Sequence, residues 1–171
     1  MDRCPEAGRK TIKVQPSKVD LGTGTREQLV RSLNVTLASA LDLGSQVKQA
    51  HWNIRGPQFY ARHLLFDKLA ERLVELSDKF AERAATLGGY AEGTARMATA
   101  NSILPEYDRK AVSGTQHVRV LASRCGTFTA KFREFSAKAA ELGDPVTEEL
   151  YIEALRGLEL DLWFLESQAE G

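Results

Sequence analysis

The stretch that decides the fold runs from residue 57 to residue 89 and reads PQFYARHLLFDKLAERLVELSDKFAERAATLGG. Apolar side chains recur through it every three or four residues, which is the period of an amphipathic helix. They are Phe59, Phe66, Leu69, Leu73, Leu76, Phe80 and Leu87. Pro57 suits the first turn of a helix, and Gly88 with Gly89 suits its C-terminal cap. The stretch therefore predicts one long helix with a single apolar face.

Three further long helices are predicted on the two sides of this one. The first helix of the chain runs from Thr25, which has capping-box spacing to Gln28, to about Asn53. The third and fourth long helices are expected over residues 113–142 and 147–167, with a Gly-Asp-Pro turn between them. The second helix thus lies inside a series of four.

The connection between the second and third long helices, residues 90–112, has a weaker pattern and is expected to hold one short helix near residues 94–100. No part of the chain shows sustained strand alternation. Four long helices with one long connection predict an all-α, ferritin-like four-helix bundle with a short extra helix between helices 2 and 3. The bundle is expected over residues 23–168, followed by a short C-terminal end at residues 169–171.

Residues 1–22 differ from the rest of the chain because they contain two prolines and two glycines and little apolar periodicity. They carry five basic residues against three acidic ones. The basic residues are Arg3, Arg9, Lys10, Lys13 and Lys18. The segment is predicted to be a flexible, basic-leaning N-terminal tail.

Composition narrows the class of protein. A chain of 171 residues suits one domain, and its 23 Lys and Arg balance its 23 Asp and Glu. This balance excludes a uniformly basic folded body, as many nucleic-acid-binding domains have, but not a local basic segment. The two cysteines form no CxxC pair, and no apolar run is long enough for a membrane span or a signal peptide. A cytoplasmic protein without disulfides and without a membrane partner is expected.

Four residues that could bind a metal ion share one face of the second helix. They are His63, Asp67, Asp78 and Glu82. At about 100° per residue they span about 100° of the helix circumference, nearly opposite the apolar stripe. A charged helix face is commonly only solvated. Three apolar side chains nevertheless share this face: Tyr60, Leu64 and Val74. A surface that faced only water would be less expected to gather them.

One helix cannot bring these four residues to one ion. Asp67 and Asp78 lie roughly 16 Å apart along a helix, whereas metal ligands lie about 2 Å from the ion. A second copy, antiparallel across a two-fold axis, would place His63 beside Glu82 and Asp67 beside Asp78. His51, at the end of the first helix, could add a second imidazole. The pattern predicts a two-fold dimer with two equivalent sites.

Two imidazoles and three carboxylates form a mixed nitrogen and oxygen ligand set, which suits iron, manganese, cobalt or zinc. Few ligands at an interface leave positions open for water or an oxidant, which favours a reactive site over a structural one. A di-iron centre inside the bundle would need Glu-x-x-His on two helices. None of the three histidines has Glu three residues before it. A site inside the bundle core is therefore not expected.

Residues 48–67, KQAHWNIRGPQFYARHLLFD, and residues 78–89, DKFAERAATLGG, resemble the Dps family (DNA protection during starvation). LWFLES at residues 162–167 extends the similarity, which covers residues 25–168. The resemblance implies a dodecameric hollow shell, or mini-ferritin, built from two-fold dimers. It also implies ferroxidase centres at the dimer interfaces. One chain would supply the first three ligands and its neighbour the last two: His51, His63, Asp67, Asp78 and Glu82.

The activity implied by the resemblance is oxidation of Fe²⁺, commonly by hydrogen peroxide, with the Fe³⁺ product stored as a mineral, which protects DNA from oxidative damage. Zinc or manganese could occupy the same site. Non-specific DNA binding would come from the basic tail residues Arg3, Arg9, Lys10, Lys13 and Lys18, and would place the protein at the bacterial nucleoid. The alternative is a mainly architectural particle that binds and compacts DNA and has secondary metal sites.

Other residues allow two interpretations. Trp52 either fills the dimer contact or is an oxidisable side chain that absorbs stray oxidising equivalents beside His51. An acidic group at the junction of the third and fourth helices is either a solvated helix start or the lining of a pore that attracts Fe²⁺. It consists of Glu141, Asp144, Glu148 and Glu149. His117 is expected to be structural or solvated, and Trp163 to pack near subunit contacts.

Overall fold

The computed structural model describes residues 12–169, which form five helices and, over that range, no strand. The helices are α1 (Thr23–Asn53), α2 (Phe59–Thr86), α3 (Ala95–Asn101), α4 (Gly114–Glu141) and α5 (Pro145–Ala169). α1 and α2 form one hairpin, α4 and α5 form a second, and α3 packs on α1 within the long connection. The predicted all-α bundle with one short extra helix is confirmed.

The core lies between the two hairpins. Its largest fully buried side chains are Leu29, Leu33, Phe66, Phe80, Phe128, Phe132 and Tyr151. Phe132 makes edge-to-face contacts with Phe80 and Phe128, with ring centroids 5.2 and 4.4 Å apart. Each such side chain contributes about 1.5–3 kcal/mol through burial. The apolar stripe predicted on the second helix is therefore the face that α2 buries.

The end of α2 follows the prediction from its two glycines. Gly88 has φ +82°, its N–H donates to the Ala85 carbonyl, and the Gly89 N–H donates to the Ala84 carbonyl. This pair of bonds is a Schellman motif. A Cβ atom at Gly89 would lie 2.5 Å from the Val30 side chain. The glycines thus end α2 and also allow α1 to approach it closely.

Two predicted helix starts are wrong in detail. α1 begins at Thr23, because the Gly22 carbonyl already accepts a helical bond from the Arg26 N–H. Thr25 therefore lies inside the first turn, where it cannot form the expected capping box. Gln58 has φ +60°, in the left-handed region, so α2 begins only after it and Pro57 precedes the helix.

The structure forms its capping box elsewhere, at the start of α4. The Ser113 hydroxyl accepts from the Gln116 N–H, and the Gln116 side chain accepts from the Ser113 N–H. These two hydrogen bonds satisfy backbone N–H groups of Ser113 and Gln116 that have no partner within the helix. Among the helices of residues 12–169, none has an apolar stretch that could cross a lipid bilayer.

Residues 12–22, which the sequence assigns to the tail, lie against the bundle. The Gln15 N–H donates to the Gly88 carbonyl at 2.7 Å. The buried Arg26 guanidinium donates to the carbonyls of Gln15 and Leu87, both at 2.9 Å. Four partly buried side chains of this segment pack on the core: Ile12, Val14, Val19 and Leu21. This part of the predicted tail therefore has a defined path.

The remaining tail residues, 1–11, lie outside the described residues, and with them lie Arg3, Arg9 and Lys10. Lys13 and Lys18 are exposed on the bundle surface. At the other end α5 includes Ala169, and residues 170–171 lie outside the described part. A division of the chain at residues 22 and 168 stays a prediction.

Candidate metal centre

A tight turn places the end of α1 beside the start of α2. Ile54 leaves the helix in an extended conformation, and Gly56 and Gln58 then adopt φ values of +93° and +60°. The left-handed residues reverse the chain within five positions. His51, in the last turn of α1, therefore faces His63, in the second turn of α2.

The two imidazoles are held by reciprocal contacts. The rings of His51 and His63 stack with centroids 3.7 Å apart. Nδ1 of His51 lies 3.2 Å from the His63 carbonyl oxygen, and Nδ1 of His63 lies 3.2 Å from the His51 carbonyl oxygen. A carbonyl only accepts, so each Nδ1 carries a proton in these contacts. Nε2 is therefore the ring atom through which each side chain could bind a metal.

Asp67 completes a three-residue cluster one helical turn after His63. Its Oδ1 lies 3.3 Å from Nδ1 of His51. One potential ligand atom from each of His51, His63 and Asp67 lies within 4.8 Å of the other two. The cluster offers two imidazole nitrogens and one carboxylate oxygen, which suit first-row divalent metals.

Lys48 is a further residue of the cluster, for which the sequence had predicted no role. Its Nζ donates to Asp67 Oδ1 at 2.8 Å. This hydrogen bond holds the pKa of Asp67 below its ordinary value against the opposing effect of desolvation, so the carboxyl is ionised at neutral pH. The same Nζ lies 6.0 Å from the centroid of the Trp52 ring. Lys48 therefore connects the cluster to Trp52.

Asp78 and Glu82, the other two predicted ligands, lie further along α2 and are exposed. Over residues 12–169 their side chains make no hydrogen bond or ion pair. The separation agrees with the helical geometry, since the pair lies three to four turns beyond the cluster. Within one chain the structure brings together three of the five predicted ligands, and the shared five-residue site stays a prediction.

The cluster borders an exposed apolar surface. Trp52 is 69% exposed and Val74 is 71% exposed. A groove of about 550 Å³ between α1 and α2 is lined by Leu73 and Val74 and also by three residues of the cluster region, Lys48, Trp52 and Asp67. Three more exposed apolar side chains lie in the first turns of α2, beside His63: Phe59, Tyr60 and Leu64. Contiguous apolar surface of this kind marks an interaction site.

The acidic junction between α4 and α5 is not uniformly solvated. Asp144 is only 2% exposed, and both its carboxylate oxygens accept from the Arg83 guanidinium, at 2.9 and 2.8 Å. Burial raises the pKa of Asp144, but hydrogen bonds from Thr147 and Arg83 outweigh it and hold the pKa below its ordinary value. Asp144 is thus an internal ion-pair partner rather than a solvated side chain, and a pore role for the acidic junction stays a prediction. Glu141 and Glu149 are exposed.

His117 and Trp163 have different surroundings. His117 is 1% exposed, and its Nδ1 lies 2.5 Å from the Tyr107 hydroxyl, so it is buried rather than solvated. Its partner was not evident in the sequence, because Tyr107 lies in an irregular connection. Trp163 is exposed on α5 beside Phe164, with ring centroids 5.1 Å apart.

Comparisons with known proteins agree with this architecture. A family model of the ferritin-like domain matches residues 30–171. The DNA protection during starvation protein of Agrobacterium fabrum is 35% identical over 159 residues, covering 93% of this chain and 98% of that protein. DpsC from Streptomyces coelicolor has a similar structure, with TM-score 0.87, 32% identity and coverage of 91% of each chain. An archaeal Dps homologue from Halobacterium salinarum gives TM-score 0.87 at 26% identity, covering 98% of this chain and 92% of its own.

These matches extend over most of the chain rather than over one motif. The family model includes α2 to α5 and most of α1, and the Agrobacterium relative aligns over nearly its whole length. Sequence similarity and fold therefore indicate the same family. The chain belongs to the Dps family of ferritin-like proteins.

Proposed function

We propose that this protein sequesters iron as a ferroxidase, oxidising Fe²⁺ at metal sites shared between two copies of the chain and storing the Fe³⁺ product inside a closed shell, a dodecamer in this family. The observation that carries the proposal is the cluster of His51, His63 and Asp67 beside an exposed apolar groove. The cluster would supply three of the five proposed ligands, and the groove is a surface on which a second copy could bind.

A second α2, antiparallel across the groove, would complete the ligand set. It would bring Asp78 and Glu82 of the second copy to Asp67 and His63 of the first. Both carboxylates are exposed and unpaired within residues 12–169, so neither must break an internal ion pair to reach the interface. The exposed Trp52 and Val74 would be buried in the same contact, which favours association through the hydrophobic effect.

The proposed chemistry follows from the donor set. Neutral imidazoles bind Fe²⁺, and three carboxylates favour the more highly charged Fe³⁺ product. With hydrogen peroxide as the oxidant, two Fe²⁺ ions supply two electrons and, with two protons, one peroxide becomes two waters. Consuming both reagents in one two-electron step avoids the one-electron reaction that releases hydroxyl radical. Protection of DNA would follow from this chemistry.

The test is oxidation of Fe²⁺ by peroxide in the assembled protein, followed by the absorbance of Fe³⁺. The double variant His63→Ala with Asp67→Ala should slow the reaction by more than about tenfold, as expected when metal ligands are lost. Glu75→Gln is a matched control because Glu75 is an exposed carboxylate on α2 outside the ligand set. An unchanged rate in the double variant, with the oligomer intact, would refute the proposed site.

We also propose that residues 1–11 contribute non-specific DNA binding, supported by their three basic residues and by the exposed Lys13 and Lys18. Many weak tails on one shell gain affinity through multivalency. Deletion of residues 1–11 keeps the Gln15–Gly88 contact, so it tests the tail without disturbing the bundle.

The expected result for this deletion is weaker retention of DNA at low salt and a shallower dependence of binding on salt. Lys13→Ala with Lys18→Ala tests the surface lysines separately. Equal retention by the deleted and full-length proteins would exclude the tail. Full DNA compaction combined with negligible iron oxidation would instead favour the architectural alternative.

A further inference from the structure

Tyr107 and His117 form a buried pair that the proposed iron chemistry does not use. The Tyr107 hydroxyl and His117 Nδ1 are 2.5 Å apart, and both side chains are more than nine-tenths buried. If the hydroxyl donates to Nδ1, only Nε2–H of the histidine lacks a partner within residues 12–169. The reverse arrangement would leave both the phenolic hydrogen and the Nε2 lone pair without partners. The phenol is therefore the donor and the imidazole is the acceptor.

The protonation states agree with this assignment. Burial raises the pKa of Tyr107 to about 12, so the phenol keeps its proton at neutral pH. Burial also lowers the pKa of His117, which the nearby backbone carbonyl of Asn53 opposes only in part, so the imidazole is neutral. A phenol that loses an electron becomes a radical cation, which is a strong acid. The neutral imidazole of His117 can accept the proton that this radical cation releases.

The pair lies close to the end of α1 that carries Trp52, since Tyr107 and His117 line a smaller cavity together with Gln49 and Asn53. Trp52 and Tyr107 line the same cavity of about 740 Å³. Trp52 also lies near Lys48, whose Nζ donates to Asp67 of the metal cluster. Trp52 is therefore a neighbour both of the metal cluster and of the cavity that Tyr107 lines. Both aromatic side chains are oxidisable by one electron.

We infer that Tyr107 and His117 act as a proton-coupled electron donor that quenches one-electron oxidants formed at the metal centre, with Trp52 as the intermediate carrier. The inference rests on the proposed function, because iron and peroxide at that centre are the source of the oxidant. Tyr107 is the terminal donor, and His117 is the base that makes its oxidation favourable.

The steps balance for hydroxyl radical as the oxidant. The radical takes one electron from the Trp52 indole and one proton from solvent and becomes water. The indole radical cation then takes one electron from Tyr107, while the phenolic proton moves to His117 Nδ1. The products are neutral Trp52, a neutral phenoxyl radical and an imidazolium. A further Fe²⁺ ion can return the electron as the proton moves back, which restores the pair.

Tyr151 provides a matched comparison within the same fold. It is fully buried, its pKa is raised by burial, and its hydroxyl is 3.0 Å from the Thr36 hydroxyl. An alcohol is far too weak a base to accept the proton of an oxidised phenol. Tyr151 is therefore a buried tyrosine without the feature that makes Tyr107 a donor.

The test oxidises the iron-free, full-length protein with azidyl radicals in pulse radiolysis, so that it does not depend on ferroxidase activity. Trp163→Phe is present throughout, which leaves Trp52 as the one tryptophan. The indole radical absorbance should decay as phenoxyl absorbance rises, more slowly in D₂O. Tyr107→Phe should prolong the indole radical several-fold and lower the phenoxyl yield, whereas Tyr151→Phe should change neither.

His117→Gln should slow phenoxyl formation and remove the isotope effect while Tyr107 remains.

A second measurement mixes Fe²⁺ with excess peroxide and traps radicals by rapid freezing for paramagnetic resonance. We expect a tyrosyl signal that disappears in Tyr107→Phe. The same radical decay in the Tyr107 and Tyr151 variants would overturn the inference even if iron oxidation is fast. Slow iron oxidation with normal transfer from Trp52 to Tyr107 would count against the proposed function alone.

Discussion

At the candidate centre the residue that competes most directly with a metal ion is Lys48. Its ammonium forms an ion pair with the Asp67 carboxylate at 2.8 Å. This carboxylate is also a proposed metal ligand. Both partners are partly exposed, so water weakens the pair, and its contribution is at most about 1 kcal/mol. The ion pair therefore lowers the metal affinity of the site but does not prevent metal binding.

Replacing Lys48 by Met should raise the affinity of the assembled protein for Zn²⁺ by up to about fivefold, because up to about 1 kcal/mol of competing interaction is removed. Titration calorimetry of the metal-free protein measures the change. Lys68→Met is the matched control, since Lys68 is an exposed lysine on α2 that forms no ion pair within residues 12–169. Weaker Zn²⁺ binding by the Lys48 variant would show that the lysine supports the site instead.

At the level of elements, the junction of α2 with α5 depends on Asp144. This residue precedes Pro145, which begins α5, and its Oδ1 accepts from the Thr147 N–H at 3.3 Å. It is therefore the N-cap of α5, with proline in the favourable first position. Its ion pair with Arg83 joins the cap to the last turn of α2.

Asp144→Ala should lower the free energy of unfolding by about 3–5 kcal/mol, since it removes one partner of a buried ion pair and leaves Arg83 unpaired. Urea denaturation measures the loss. Glu141→Ala is the control: Glu141 is exposed and bound to Lys138 at 3.2 Å, and about 1 kcal/mol or less is expected. Similar losses in both variants would contradict the internal role of Asp144.

The pKa of Asp144 also predicts the pH dependence of this difference. Because the folded pKa lies below the ordinary value of 3.8, the stabilisation is fully present above that value. It is lost as the pH falls through the lower folded pKa, where the folded protein also takes up the proton. The stability difference between wild type and Asp144→Asn should therefore be constant near neutrality and shrink in acid below pH 3.8.

At the scale of the whole molecule, the proposed site needs two chains, and mixed assembly tests this directly. One variant carries His63→Ala with Asp67→Ala, and the other carries Asp78→Asn with Glu82→Gln. A dimer of the two variants has one site that keeps all five ligands. In its other site, all four substitutions are present. Each homogeneous variant should be slow, whereas mixed dimers should recover about half of the wild-type activity, because a two-fold interface has two sites. Activity that does not recover in the mixed dimers would contradict a site shared between two chains.

Much of the architecture could be predicted from local patterns. The apolar period and the glycine pair at Gly88 and Gly89 are local signals, so the long helices were predicted to within a few residues. The predicted starts differ by about two residues, since α1 begins at Thr23 without any capping side chain to mark that position. A short helix was expected near residues 94–100 of the weakly patterned connection, and α3 spans Ala95–Asn101.

The sequence by itself determined the four long helices, the polar face of α2 and the types of ligand it carries, because these depend on the spacing of residues within one segment. Only the tertiary structure decided which side chains meet: Lys48 with Asp67, Arg83 with Asp144, Tyr107 with His117, and Arg26 with the segment before α1. These contacts join different elements or a helix to a loop. Their partners are set by how helices pack and where the chain reverses, and periodicity carries no information about either.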